Sequence, residues 1–284
     1  MSRYHWKEDR MAFQSASDLI RPAEPMIPGI AKDDLELSID ILRQYEPPEG
    51  YYGCFSGGKD SCVLRAVTEL SGVKATWHYN VTTIDPPELL YFMRKHHPDV
   101  EWHRPRKNFF AAAQKRGIPT RVCRWCCEEY KEMRSPKGAP LLLGLRAAES
   151  PRRAKTWNHA TLHRRTGAMA ISPLLHWSDA VLWSFIRERN VPVCELYEQG
   201  WDRLGCIGCP MSRTAGRLRD FARWPGYELL WKRLFNQTFD RRSGKFGSAE
   251  FTSAEEMWDW WLNDKPLPND DEEECQLWID QMSV

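Results

Sequence analysis

Apolar residues follow two different periods along this chain. Short apolar runs bounded by turn residues have the length of buried strands. They occupy residues 51–55, 74–79, 100–103, 140–145 and 168–174. Between them, apolar positions recur every three or four residues, as in helices with one buried face. These segments are residues 34–46, 61–70, 87–93, 109–116 and 178–186. The alternation predicts an α/β fold with an open, mostly parallel, Rossmann-like sheet and helices on both faces.

The same pattern divides the chain into three parts. Residues 1–32 are polar and contain Pro22, Pro25 and Pro28, which suggests an arm laid over the body. Residues 33–211 carry the alternating elements and are expected to form one α/β domain with a cysteine cluster. Residues 212–284 have a helical pattern, with helices expected at 227–239, 254–262 and 273–282, and form a helical C-terminal region.

Composition excludes some classes of protein. The 284 residues are 42% hydrophobic and 28% charged, as in ordinary soluble globular proteins. The net charge of +1 gives no global sign of a nucleic-acid or membrane partner. No apolar run approaches the ~20 residues that span a bilayer, and the first residues lack the apolar core of a signal peptide. We therefore expect a cytoplasmic protein, in which the nine cysteines do not form structural disulfides.

The strand at 51–55 ends in a glycine turn that opens the next helix. The turn consists of Ser56, Gly57, Gly58, Lys59, Asp60 and Ser61. A strand, glycine turn and helix in this order aim backbone N–H groups and the helix dipole at one point, which makes an anion site. The glycines let phosphate oxygens approach the backbone, Lys59 adds a mobile positive charge and the serines add hydroxyl donors. Asp60 could hold Mg²⁺, directly or through water.

Other polar residues follow later strands. The segment 80–85 and Arg146 lie at predicted carboxyl ends of strands, so they should converge with the glycine turn on one cleft. Thr82, Thr83 and Asp85 are suited to contact a ribose or a metal ion, although Asp85 could equally cap a turn. Arg146 and Arg153 offer planar donor groups that suit phosphate or sulfate oxygens.

Five cysteines form two groups that are about eighty residues apart. The groups consist of Cys123, Cys126 and Cys127, and of Cys206 and Cys209. A C-x-x-C spacing puts two sulfurs within reach of one metal centre. The set could therefore hold an iron–sulfur cluster, or structural zinc through Cys123 and Cys126 with the later pair. Buried or redox-active thiols without metal are the third alternative.

Several motifs, in one order, resemble a known family. They are SGGKDS at 56–61, TTIDPPE at 82–88, WCCEEYK at 125–131, GLRAAESPRRA at 144–154 and RLGCIGCPM at 203–211. The chain resembles, over roughly residues 35–262, the PAPS (phosphoadenosine phosphosulfate) reductase-like family of the PP-loop ATP-pyrophosphatase, or adenine nucleotide alpha-hydrolase, superfamily. The resemblance implies an adenine nucleotide whose phosphates lie on the glycine turn. It also implies four residues that face the nucleotide from the opposite strand end: Arg146, Glu149, Ser150 and Arg153.

The resemblance also bears on the cysteines. Vicinal Cys126 and Cys127 with a distant C-x-x-C resemble the cluster ligands of assimilatory adenylyl-sulfate reductases. This favours a [4Fe–4S] cluster on Cys126, Cys127, Cys206 and Cys209, with Cys123 as a substitute ligand.

Three functions compete on this evidence. The intact glycine turn resembles members that split ATP into AMP and pyrophosphate, which predicts ATP-dependent adenylation of an acceptor and sulfur transfer to it. Lys59 and an Mg²⁺ ion near Asp60 would then neutralise the leaving pyrophosphate. The basic stretches 104–107 and 155–165 could dock a nucleic-acid acceptor, or could form solvated loops. The expected partners are a sulfur or electron donor protein and, in a homodimer, a second copy of the chain; no membrane is expected.

The two alternative functions assign other roles to the residues of this chain. A reductase of adenylyl sulfate or its 3′-phosphate, which releases sulfite, would use Cys275 as nucleophile. The family carries a Glu-Cys-Gly-Leu-His type segment there, whereas this chain has Glu-Cys-Gln-Leu-Trp at 274–278, and the acids before Cys275 should raise its pKa. A non-catalytic module that senses a nucleotide or binds a partner is the third candidate.

Overall fold

A computed structural model describes residues 33–132, 138–163, 167–247 and 249–266 of the chain. The predicted arm at 1–32, the predicted helix at 273–282 and Cys275 lie outside the described residues. None of the helices within the described ranges is both long enough and apolar enough to cross a bilayer.

Six strands form the main sheet. They are β1 Tyr51–Cys54, β2 Ala75–Asn80, β3 Glu101–His103, β4 Leu141–Leu142, β5 Ala160–His163 and β6 Ala168–Ile171. Their order is β3-β2-β1-β4-β6-β5, and every neighbouring pair is parallel except β5 with β6. The predicted open, mostly parallel α/β sheet is therefore confirmed.

Helices connect and flank these strands. They are α1 Asp34–Gln44, α2 Lys59–Ser71, α3 Pro87–His96, α4 Phe109–Arg116, α5 Trp125–Cys127, α6 Pro151–Thr156, α7 Asp179–Glu188, α8 Thr214–Arg223, α9 Pro225–Arg242 and α10 Ala254–Leu262. Side-chain caps fix several of their starts, because an oxygen there satisfies an unpaired N–H group. Asp33 accepts from the first turn of α1, and Ser178 accepts from the N–H group of Val181 in α7. A π-helical turn, Glu128–Glu132, continues α5.

Several elements do not appear in the sequence-based prediction, among them the short helices α5 and α6. Strand β5 lies inside the basic stretch 155–165, part of which is therefore an edge strand and not a loop. Helix α8 buries Arg217, whose guanidinium donates to the carbonyl oxygens of Leu262, Pro210 and Ser212. Because this buried residue is charged, the buried face of α8 cannot be recognised from the spacing of apolar residues. A short hairpin joins β7 Lys245–Phe246 to β8 Ala249–Glu250. Strand β4 is also shorter than predicted.

The two faces of the sheet differ in character. One face buries Tyr51, Trp77 and Tyr79 in the main core. The other face has a small apolar cluster of Leu141, Ala168 and Ala170, with Tyr52 and Cys54 packed against it. Because side chains alternate along a strand, the polar residues of β2 and β3 at His78, Glu101 and His103 share this second face. The carboxyl ends of β1, β2 and β4 meet at one edge of the sheet, where the candidate site lies.

Candidate functional site

The glycine turn lies between β1 and α2, as its sequence predicts. Gly57 has a φ of +72°, which L side chains rarely adopt, and a Cβ there would lie 2.6 Å from Met93 Sδ and 2.8 Å from Leu89 Cδ1. Gly144, after β4, approaches from the opposite side, where an added Cβ would lie 3.1 Å from the Asp60 carbonyl oxygen. Close packing against α3 and against the residues that follow β4 therefore fixes the backbone path of the glycine turn.

Hydroxyl groups hold the turn from inside. Ser61 Oγ donates to the carbonyl oxygen of Gly58 at 2.8 Å and lies 3.2 Å from Ser56 Oγ. The N–H group of Gly58 donates to Ser56 Oγ at 3.4 Å. Both serines, predicted as phosphate donors, thus also shape the backbone that would receive the phosphate.

Lys59 begins α2 and is covered by a segment from the other half of the sheet. Its backbone N–H group donates to Tyr197 Oη at 2.8 Å, and its Nζ donates to the carbonyl oxygen of Asp202 at 3.0 Å. Nζ also lies 3.5 Å from Asp60 Oδ2. Burial raises the pKa of Tyr197, so its hydroxyl stays protonated. The segment between α7 and α8 therefore lies directly over the N-terminus of α2.

Arg146 is almost completely buried behind the turn. Its Nε donates to Asp60 Oδ1 at 2.5 Å, Nη2 to Asp179 Oδ1 at 2.7 Å and Nη1 to the carbonyl oxygen of Trp177 at 3.3 Å. The family resemblance implies that Arg146 faces the nucleotide. In the structure its donors are used by protein groups, and it orients Asp60.

The other residues implied around Arg146 lie next to it. Glu149 Oε2 accepts from the backbone N–H group of Arg146 at 3.2 Å and pairs with Arg153 Nη1. Ser150 caps α6, since its Oγ accepts from the N–H group of Arg153 at 3.2 Å. The structure thus brings Glu149, Ser150 and Arg153 together, and their contact with a nucleotide stays a prediction.

The segment after β2 is built around Asp85. Its Oδ2 accepts from Tyr79 Oη at 2.5 Å and from the N–H group of Thr82 at 3.0 Å, so the turn-capping alternative is present in the structure. Thr83 has a φ of +68°, and its Oγ1 accepts from the N–H group of Phe109 at 2.8 Å. Thr82 is buried at the base of two cavities.

Three cavities adjoin at this edge of the sheet. The loop cavity is lined by Ser56 of the glycine turn, by Asn80, Thr82 and Asp85, and by Lys131. The thiol cavity is lined by Thr82 and Lys131 and by all four predicted cluster ligands: Cys126, Cys127, Cys206 and Cys209. The outer cavity, of about 650 Å³, again contains Lys131 and two of these cysteines, together with Arg203, Arg213 and Arg219. Lys131 therefore lies where the three cavities meet.

Charge is unevenly distributed among the four thiols. Hydrogen bonds from Cys126 and from Arg124, whose Nη2 lies 3.4 Å from Cys127 Sγ, lower the pKa of Cys127 to about 5. Burial raises the pKa of Cys206 to about 12. The field of Cys206 and Cys209 raises the pKa of Lys131, which keeps its ammonium group charged. A buried group of four thiols ionises together only when a cation joins it, which is the electrostatic role of a bound metal.

Among the described residues, the four predicted sulfurs are not gathered as closely as around a single zinc ion. A tetrahedral zinc ion with Zn–S distances of about 2.3 Å brings its sulfurs to about 3.8 Å from one another. Within the described ranges no three of these four sulfurs approach within 4.8 Å of one another. Cys123 is buried in the main core and does not line the thiol cavity. The structure thus brings the four predicted cysteines to one cavity, and an iron–sulfur cluster on them stays a prediction.

Sequence reasoning missed four residues of this site. Lys131 follows Cys127 at helical spacing, so the pattern WCCEEYK could have placed it beside the thiols. Tyr197, Asp202 and Asp179 give no comparable signal, because their partners Lys59 and Arg146 are distant in sequence.

Several known proteins are similar to this chain. A family model of the phosphoadenosine phosphosulfate reductase domain matches residues 51–212, which include the glycine turn and the four thiols. The adenosine 5′-phosphosulfate reductase of Staphylococcus epidermidis is 39% identical over 66 residues, 23% of this chain and 27% of that enzyme. A crystal structure of phosphoadenylyl-sulfate reductase from Candida auris, in complex with phosphate, covers 63% of this chain and 96% of that chain, with 16% identity and a TM-score of 0.47.

An uncharacterized protein of Methanocaldococcus jannaschii matches more of the chain, with 29% identity over 279 residues, or 91% of this chain. The match covers 62% of that protein, and a second uncharacterized protein of the same organism is covered over 45% of its length. The chain thus spans roughly half of these relatives. Because the family model matches more than half of the chain, from β1 through the second thiol pair, the chain belongs to the phosphoadenosine phosphosulfate reductase domain family.

Proposed function

We propose that this chain is an adenine-nucleotide enzyme of sulfur metabolism, which uses ATP to adenylate an acceptor and then transfers sulfur to it. The observation that carries the proposal is the junction of the loop cavity and the thiol cavity at Thr82 and Lys131. A nucleotide phosphate chain at the glycine turn would lie next to a sulfur-handling site.

The glycine turn supports ATP as the nucleotide. The N-terminus of α2 offers backbone N–H groups and the positive end of the helix dipole to the phosphates. Lys59 Nζ is 3.5 Å from Asp60 Oδ2, while Asp60 Oδ1 is held by Arg146. Asp60 thus presents one oriented oxygen to Mg²⁺, and Lys59 adds a second cation for the pyrophosphate.

The proposed reaction has two displacements. An acceptor oxygen attacks the α-phosphorus of ATP, the bond to the bridging α–β oxygen breaks, and pyrophosphate leaves with its charge neutralised by Lys59 and Mg²⁺. Hydrosulfide supplied by a sulfur donor then attacks the acceptor carbon, the carbon–oxygen bond breaks, and AMP leaves. A [4Fe–4S] cluster on the four thiols would supply the sulfur- or electron-carrying chemistry when bound.

The outer cavity supports an anionic acceptor such as nucleic acid. Arg203 and Arg213 are exposed at its wall, and Arg219 lies 4.8 Å from the ring centroid of Trp201. Cations beside an aromatic ring bind phosphate backbones and stack on bases. Arg106 and Lys107, in the first predicted basic stretch, are also exposed.

A sulfonucleotide reductase is the second candidate, because adenosine 5′-phosphosulfate reductases are among the matching relatives. In that reaction a Cys275 thiolate would attack the sulfur of the sulfonucleotide, and the sulfur–oxygen bond would break to release the nucleotide. A dithiol partner would then reduce the S-sulfocysteine and release sulfite.

One pair of assays separates these functions. Anaerobic protein is incubated with ATP labelled at the α-phosphate, with and without tRNA or DNA, and separately with adenylyl sulfate and a dithiol. Acceptor-dependent AMP and pyrophosphate, lost in Lys59→Ala and kept in the exposed control Lys95→Ala, supports the proposal. Sulfite release that Cys275→Ser abolishes supports the reductase. Nucleotide binding with neither product contradicts both and leaves the non-catalytic module.

A further inference from the structure

We propose that His78, Glu101 and His103 form a second metal site, which binds a divalent transition ion such as Zn²⁺ on the polar face of the sheet. The inference goes beyond the proposed function, since none of these residues belongs to the glycine turn or to the thiol group. Among the described residues they are the one group of three His, Cys, Asp or Glu whose ligand atoms all lie within 4.8 Å of one another.

The strands place these three side chains together. His78 of β2 is in register with Glu101 of β3, and Asn80 with His103. Because side chains alternate along a strand, Glu101 and His103 project from one face of β3, beside His78. β3 is the edge strand of the sheet, so the carboxylate of Glu101 remains 66% exposed while the two imidazoles are largely covered.

The ligand spacing matches that of a bound ion. His78 Nδ1 lies 3.1 Å from His103 Nε2 and 3.5 Å from Glu101 Oε2. Zinc–nitrogen and zinc–oxygen bonds of about 2.0–2.1 Å in a tetrahedron put neighbouring ligand atoms about 3.3–3.4 Å apart. These two separations lie on either side of this value, and the ligand atoms of His103 and Glu101 lie within 4.8 Å of each other. Little movement of the backbone is therefore needed to receive the ion.

Neighbouring groups orient the imidazole of His78. Thr76 Oγ1 lies 2.8 Å from His78 Nε2, so the hydroxyl fixes one ring nitrogen and leaves Nδ1 directed at His103 and Glu101. Tyr52 stacks on the same ring, with centroids 3.8 Å apart and an interplanar angle of 1°. A hydrogen-bonded second nitrogen is the usual support of a metal-binding histidine.

The donor set selects the class of metal. Two imidazoles and one carboxylate suit Zn²⁺ and other divalent transition ions, whereas Mg²⁺ and Ca²⁺ prefer oxygen ligands throughout. Three protein ligands leave a coordination position for water or another oxygen. His78 also lines the loop cavity, so that position lies at the margin of the proposed nucleotide site.

Cobalt distinguishes this site from the thiol group, because thiolate-bound Co²⁺ shows a sulfur-to-metal charge-transfer band and nitrogen- and oxygen-bound Co²⁺ does not. Co²⁺ is titrated into anaerobic full-length protein, followed by metal analysis after gel filtration and by absorbance. The variants are Glu101→Gln, which changes an exposed side chain, and His103→Gln; the matched control is His96→Gln, an exposed histidine of α3. A Cys206→Ser background takes one ligand from the thiol group and so weakens the thiolate band.

We expect wild type and His96→Gln to bind one Co²⁺ without the charge-transfer band. The same binding should be seen in the Cys206→Ser background and in the presence of excess Mg²⁺. Glu101→Gln and His103→Gln should weaken this binding at least about tenfold, as loss of a ligand or its support does elsewhere. Their circular dichroism and thermal midpoint should match the control. Cobalt bound only with the thiolate band, or equal binding by both variants and the control, overturns the proposal.

Discussion

The glycine turn and the thiol group lie at the same edge of the sheet, but they are prepared for their ligands in opposite ways. The charged groups of the turn are paired within the protein: Asp60 with Arg146, and the Lys59 ammonium group with the carbonyl oxygen of Asp202. The thiols instead share one cavity with a single described lysine, Lys131, whose pKa is raised by the field of Cys206 and Cys209. The comparison indicates that the nucleotide side is preorganised by the fold, whereas the thiol side, as we propose, is completed by a metal centre.

The largest expected effect comes from removing one thiol. Cys206→Ser takes away one of four ligands, so metal and absorbance of the anaerobically purified protein should fall from near stoichiometric to near zero. Because the glycine turn is held by other residues, ATP affinity should change less than about threefold. Iron analysis, absorbance and equilibrium binding of ATP measure the two sides separately.

Cys54→Ser is the matched control, since Cys54 lines the loop cavity and not the thiol cavity. The Cys54→Ser variant should keep the iron content of the wild type. Stoichiometric zinc in the wild type would contradict the cluster assignment, and equal loss of ATP binding in Cys206→Ser would contradict the independence of the two sides.

Removing the arginine behind the turn should have the next largest effect. Arg146→Met leaves Asp60 and Asp179 without their partner, and breaking a buried ion pair typically costs 3–5 kcal/mol. Both carboxylates keep contact with solvent here, so we expect a loss of about 2–3 kcal/mol in the free energy of unfolding. ATP affinity should fall as well, because Asp60 loses its orientation.

Chemical denaturation of Arg146→Met and of the exposed control Arg152→Met tests this expectation. An unchanged midpoint for Arg146→Met would show that the pair contributes nothing to stability. Unchanged stability with a large loss of ATP affinity would place Arg146 on the nucleotide, as the family resemblance implies.

Much of the structure at the edge of the sheet that carries the candidate site could be predicted from local sequence. The turn at 56–61 follows an apolar strand and opens a helix, so its chemistry and its place in the fold agree. Cys126 and Cys127 also converge with Cys206 and Cys209 on one cavity, although the two pairs are about eighty residues apart in sequence. Strand periods and side-chain caps are local properties, and they fixed most of the element positions.

The rest depends on contacts that no local pattern contains. Tyr197 and Asp202 reach Lys59 only after the second half of the sheet has formed. Arg146 has the donor geometry expected of a phosphate ligand, yet the fold pairs it with carboxylates. The buried face of α8 contains the charged residue Arg217. A search for hydrophobic residues at helical spacing therefore does not reveal this helix.

A smaller effect should follow from adding one methyl group to the turn. Gly57→Ala combines a φ of +72° with a clash against Met93 and Leu89, so we expect a loss of about 2–3 kcal/mol in the free energy of unfolding. Gly72→Ala is the matched control, because Gly72 has a φ of +76° and no atom within 4 Å of an added Cβ. It should lose only about 1 kcal/mol. Equal losses would show that packing against α3 does not fix the turn.

The smallest expected effect is a gain in affinity. Tyr197 Oη accepts the hydrogen bond of the Lys59 N–H group, which is one of the donors that a phosphate at the N-terminus of α2 would use. Tyr197→Phe removes this competitor, and a hydrogen bond of about 0.5–1.5 kcal/mol corresponds to a Kd for ATP roughly two- to tenfold lower. Tyr91→Phe, an exposed tyrosine, should leave the Kd unchanged. Weaker ATP binding by Tyr197→Phe would instead mean that the hydroxyl positions the turn for its ligand. The segment between α7 and α8 would then keep its contact with α2 when ATP is bound.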